Sequence, residues 1–145
     1  MATLTASKIT ESGLTSSPTT AAVSGDQFRN TGVEFLRISN FHRTKTYTVK
    51  IEVQNSSVVH PQYGPTTKNH IYKTIAPPGS GASANVGEVT AYFGPFKPKA
   101  FNDANGMVKI YYKDGSVASD TGFSGGSAIP SSNALLEVDV IYLDN

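Results

Sequence analysis

Residues 46–53 read TYTVKIEV. Tyr47, Val49, Ile51 and Val53 alternate with Thr48, Lys50 and Glu52. Successive side chains of an extended chain point to opposite faces, so a period of two marks a strand with one buried and one wet face. The alternation returns at residues 107–113, MVKIYYK, where Val108, Ile110 and Tyr112 oppose Lys109 and Tyr111. It returns again at residues 134–143, ALLEVDVIYL, where Leu136, Val138, Val140 and Tyr142 oppose Glu137 and Asp139. Upstream, VEFLRIS at residues 33–39 predicts a strand begun by Val33, Phe35 and Ile38. The polar stretch 40–45 is short enough to join it to 46–53 as a hairpin.

HIYKTIA at residues 70–76 and VTAYF at 89–93 bring the count to about six strands, with room for one or two more near Val23 and in 116–123. The stretches between them carry turn chemistry. Residues 54–69 and 77–87 are rich in proline, glycine and small polar side chains, residues 96–106 read FKPKAFNDANG, and 116–133 are dominated by glycine and serine. No segment shows a helical stripe, so the crossover helices of a parallel α/β sheet are missing. The expected fold is all-β: an antiparallel β-sandwich, jelly-roll or immunoglobulin-like, over residues 27–145.

Residues 1–26 read differently. Small and hydroxylated residues dominate, and Leu4, Ile9, Leu14 and Val23 are spaced irregularly. A flexible terminus is one expectation. The sharper one is an extended N-terminal arm that docks on a neighbouring subunit through Leu4, Ile9 and Leu14, because a pure linker has no use for large apolar side chains.

The 145 residues carry a formal net charge of +1, with 16% charged and 38% hydrophobic residues. A nucleic-acid binder needs a basic stripe. The nearest candidate, Lys97, Lys99, Lys109 and Lys113, is diluted by Asp103 and Asp114, so no nucleic-acid partner is expected. The absence of cysteine removes disulfides, thiolate metal sites and cysteine nucleophiles. No apolar run approaches a membrane span and no export leader is recognisable, so a protein made in the cytoplasm with no membrane partner is expected.

Reactive constellations do not assemble along the chain. His42, His60 and His70 lack ligand spacing. The nearest approach to a nucleophile elbow, Gly122-Phe123-Ser124-Gly125-Gly126, is out of frame. The glycines between Gly79 and Gly87 lack the Lys-Ser/Thr ending of a phosphate loop. Asp103 and Asn105 suit an Asx turn better than a calcium loop, since no acidic residue closes the run. No catalytic residue, metal ligand or cofactor is therefore expected. What stands out is the aromatic, proline-stiffened stretch from Ala91 to Tyr112. Phe93, Phe96 and Phe101 suit closure of one end of the sandwich; with Tyr92 they are also candidates for a contact patch.

Four pieces of this sequence carry a family resemblance: Ile9-Thr10-Glu11-Ser12-Gly13-Leu14-Thr15, Gly25-Asp26-Gln27-Phe28, Gly94-Pro95-Phe96 and Phe101-Asn102-Asp103-Ala104-Asn105-Gly106. In this order they resemble small virion structural proteins encoded in the head-gene regions of tailed bacteriophages. The longer middle, residues 61–87, departs from that pattern. The resemblance implies a virion component. By analogy of layout it implies a capsid-decorating (cement) protein on the particle surface, with the major capsid protein as partner and a dimer or trimer as the homo-oligomer. The alternatives are a head–tail joining, tail or fibre-associated protein, or a carbohydrate-binding β-sandwich using Tyr63, Tyr72 and Tyr92.

Overall fold

The computed structural model describes residues 1–15, 17–60, 64–78, 89–123 and 135–143. Twelve strands lie in this part of the chain: β1 (Ala2–Leu4), β2 (Ala6–Ile9), β3 (Thr19–Thr20), β4 (Asp26–Arg29), β5 (Glu34–Asn40), β6 (Tyr47–Ile51), β7 (Ser57–His60), β8 (Gly64–Thr67), β9 (Ile71–Ile75), β10 (Val89–Phe93), β11 (Met107–Asp114) and β12 (Leu136–Leu143). One sheet, A, has the order β1-β4-β11-β6-β9. The other, B, has the order β10-β5-β12-β2, with β3 also paired to β12. β7 and β8 form a separate hairpin.

The alternating segments supply the core. Tyr47, Val49, Ile51, Val108, Ile110 and Tyr112 of sheet A face Leu36, Ile38, Leu136, Val138 and Val140 of sheet B, and all are buried. Full burial of one such side chain contributes roughly 1.5–3 kcal/mol, which is why the period-two pattern fixes which face turns inward. The fold is the expected all-β sandwich.

Several local expectations are corrected. In 33–39 the inward residues are Leu36 and Ile38, while Val33 is exposed and Phe35 half-buried. Glu34 takes the first inward place because its carboxylate accepts the N–H groups of Thr31, Gly32 and Val33 and the Thr31 hydroxyl. Burial alone would raise the Glu34 pKa, but these donors together hold it below the ordinary carboxylate value. The stretch 40–45 is no hairpin: β5 lies in sheet B and β6 in sheet A. Asn40 builds that corner. Its fully buried amide donates to the carbonyls of Lys45, Ile75 and Ala76 and accepts the His42 N–H. The expected loop 54–69 contains the β7–β8 hairpin, and 96–106 contains a helical turn, α1 (Pro98–Phe101). The 116–123 region forms a 3-10 turn at Asp120–Phe123 in place of a strand, and the further strand expected near Val23 is matched by two, β3 before it and β4 after it. Most of the expected loops 77–87 and 116–133, and Tyr63, lie outside the described residues.

The sheets are mixed where antiparallel pairing was expected throughout. β1 runs parallel to β4, and β2 parallel to β12. Residues 1–26 therefore include three strands, β1, β2 and β3, and the first residue of β4, all of which join the sheets of their own chain, with only Thr5 between β1 in sheet A and β2 in sheet B. The boundary expected at residue 26 falls at the first residue of β4. Gly25 has φ +84°, and a Cβ there would meet the Ile110 carbonyl oxygen at 2.5 Å, so the entry into β4 needs a glycine.

Candidate functional site

The aromatic stretch 91–112 belongs mostly to the interior. Phe93, Phe96 and Phe101 are buried, with Phe96 5.8 Å from the Phe28 ring and 5.4 Å from the Phe101 ring. Two asparagines lock this end. Asn30 donates to the Phe96 carbonyl (3.1 Å) and to Asn102 Oδ1 (2.6 Å), and Asn102 donates back to the Asn30 carbonyl (2.8 Å). The Asp103 carboxylate accepts the N–H groups of Asn105 (2.8 Å) and Met107 (3.0 Å), the expected Asx turn, and these bonds hold its pKa below the usual range. Core closure thus uses Phe93, Phe96 and Phe101 and withdraws them from any contact patch. Tyr92, one residue from Phe93, is 64% exposed.

Residues paired in register share a face. On the outer side of sheet B, Arg37 stands between Tyr92 and Asp139, Ile141 between Phe35 and Ser7, and Leu143 beside Ile9. Val33 precedes β5 at the same end. One end of this face therefore gathers Ile9, Val33, Phe35, Ile141 and Leu143, with Tyr92 diagonal to Phe35. Leu143 is 53% and Val33 39% exposed; Ile9, Phe35 and Ile141 are half-buried. Of the other candidate arm residues, Leu4 packs against the core and Leu14 is half-buried.

The outer side of sheet A is built differently. Lys50 points outward from the middle of β6, yet its side chain is only 10% exposed. The 3-10 turn lies over it: Asp120 Oδ1 accepts from Lys50 Nζ at 2.5 Å, and the Tyr111 and Phe123 rings lie 5.6 and 6.0 Å from the ammonium. His70 Nε2 lies 3.4 Å from Asp120 Oδ2, and its Nδ1 accepts the Val53 N–H at 2.9 Å, which places the imidazole proton on the nitrogen facing the carboxylate. The Tyr72 hydroxyl also bonds Asp120, and the phenol is pushed up to about 12, first by burial and then by that carboxylate. The bonds from Lys50 and Tyr72 lower the Asp120 pKa. Within the sandwich, Asp26 is fully buried. Its Oδ2 accepts from the Ala22 N–H and the Tyr112 hydroxyl, while Oδ1 has no partner among the described residues. Burial raises its pKa, against the two bonds.

No protein-family model, no curated protein and no solved structure matches the chain.

Among the described residues, no three His, Cys, Asp or Glu side chains gather as metal ligands would. No described helix is long and apolar enough to cross a membrane. The sequence reading missed the Lys50–Asp120–His70–Tyr72 cluster because its members come from β6, β9 and its approach, and the 3-10 turn. The one local signal was a lysine at the centre of a strong strand pattern, and the same signal reads equally well as a wet face.

Proposed function

We propose that the chain is a non-enzymatic virion structural protein: a capsid-decorating (cement) protein that sits as a dimer or trimer on the outer surface of a tailed-phage capsid and bridges major capsid protein subunits. The observation that carries this is the apolar end of the outer face of sheet B, with Tyr92, Leu143 and Val33 exposed beside Ile9, Phe35 and Ile141. Contiguous exposed apolar surface on a small β domain favours docking to another protein. The four-piece resemblance to virion structural proteins supplies the kind of partner. The near-neutral net charge fits a surface that adheres by shape and apolar contact more than by electrostatic steering. Burying each exposed side chain adds no more than about 1–2 kcal/mol. Oligomeric attachment makes such contacts sufficient, since each further subunit binds at the high effective concentration set by the first.

The test is co-sedimentation of the purified protein with capsids that lack it, followed by copy counting. Saturation at hundreds of copies per particle, abolished by Leu143→Asp and weakened by Tyr92→Ala with the fold intact by circular dichroism, is the expected result. About a dozen copies per particle points instead to a head–tail joining or tail protein. No association with capsids at any concentration refutes both.

A further inference from the structure

Beside the Asp120 cluster, on the outer side of sheet A, lies an open cleft of about 420 Å³ lined by Ser56, Lys68, Asn69, Tyr72, Ser119 and Asp120, with Val53 and His70. This volume lies within the range of small-ligand sites. Two backbone features hold it in shape. The Lys68 N–H donates to the Ser56 carbonyl at 2.7 Å, and the His70 ring is fixed by the Val53 N–H. The side chains of Ser56, Lys68, Asn69 and Ser119 bond to no other described residue. Asp120 is the opposite case. Lys50, His70 and Tyr72 bond to it, yet it is 59% exposed and lines the cleft, so its carboxylate keeps acceptor positions beyond those three donors. A carboxylate offers about four such positions.

The wall thus combines one fixed acceptor with an ammonium, an amide and two hydroxyls. This mixture selects by charge. A phosphate or carboxylate would meet Asp120, and a cation would meet Lys68 with Lys50 behind it. A hydrocarbon would strip water from polar groups and return nothing. A ligand whose neighbouring atoms both donate and accept satisfies the wall: one hydroxyl donates to Asp120 while the next accepts from Lys68 or Asn69. Bonds of this kind to charged groups are about twice as strong as neutral ones.

We propose that this cleft binds a saccharide through a pair of vicinal hydroxyls. It lies on the outer face opposite the sheet B patch, so a copy attached by that patch would present the cleft to solvent. Binding itself requires no capsid, and its failure leaves the decoration proposal untouched.

The test uses the purified full chain on an array of defined neutral and acidic oligosaccharides. Positives are measured by calorimetry and mapped by amide chemical shifts. Lys68→Ala and Asn69→Ala remove side chains that bond to no other described residue, and Tyr92→Ala on the far face is the control. The expected result is binding of at least one saccharide, weakened roughly tenfold or more by Lys68→Ala or Asn69→Ala and unchanged by Tyr92→Ala, a tenfold loss being the size of one charge-assisted bond. Shifts should concentrate at residues 68–72 and 118–120. The proposal is overturned if no saccharide binds at concentrations up to about millimolar, or if binding survives both substitutions.

Discussion

Removing the Asp120 carboxylate tests whether a half-exposed side chain is what allows a lysine to lie buried in the middle of β6. In Asp120→Ala, the Lys50 ammonium, with its side chain 10% exposed between Tyr111 and Phe123, loses its anion. Breaking a fully buried ion pair costs about 3–5 kcal/mol, and breaking an exposed one at most about 1 kcal/mol. Here one partner is buried and the other is 59% exposed and screened by water, so the expected loss lies between, at about 2 kcal/mol. His70 and Tyr72 add little, because both are partly exposed and can bond to water. For a chain of 145 residues this lowers the melting temperature by about 4–8 °C. The chain has no tryptophan, so urea and thermal unfolding are followed by far-ultraviolet circular dichroism. Lys50→Met removes the charge but keeps the stem that packs between the rings. The double variant should therefore recover most of what Asp120→Ala loses, giving a coupling of about 1–2 kcal/mol in the cycle. A loss below about 0.5 kcal/mol in Asp120→Ala, or strictly additive single changes, would refute the idea that this pair pins the 3-10 turn to sheet A.

Asn40→Ala leaves the Lys45, Ile75 and Ala76 carbonyls and the His42 N–H without their shared partner. It should cost about 3 kcal/mol by urea unfolding, and a cost under about 1 kcal/mol would mean that the corner re-forms around water. Asp26 has its folded-state pKa raised above the ordinary value of 3.8, so the folded protein binds more protons there than the unfolded chain. Its contribution to stability falls as pH rises from near 3.8 through the folded-state value. Compared by urea unfolding from pH 4 to pH 7, Asp26→Asn should gain on the parent as pH rises and then level off; a difference independent of pH would mean that burial does not oppose ionisation at this site.

The sequence alone determined six of the strands, β5, β6, β9, β10, β11 and β12, and for most of those the buried face. TYTVKIEV and MVKIYYK turn the expected side chains inward, as do Leu136, Val138 and Val140 of LEVDVIYL, because a pleated chain has one stripe to bury whatever it packs against; Tyr142 is half-buried, and Thr48, Lys50 and Asp139, expected on wet faces, are covered as well. The Asx turn at Asp103 was legible for the same local reason. At 33–39 the pattern held apolar residues of both parities, and only the N–H groups gathered by Glu34 decided which set went in.

Partnership was decided by the tertiary structure alone. Most connections here pass from one sheet to the other, so neighbours in the sequence, such as β5 and β6, lie in different sheets, while β4 pairs with β11 and β2 with β12. The same separation hid the ends of the chain from inspection: residues 2–9 complete both sheets, and Asp120 reaches back to Lys50 across seventy positions. Alternation reports how a strand meets an interior, and an interior has no memory of which distant segment provides its other wall.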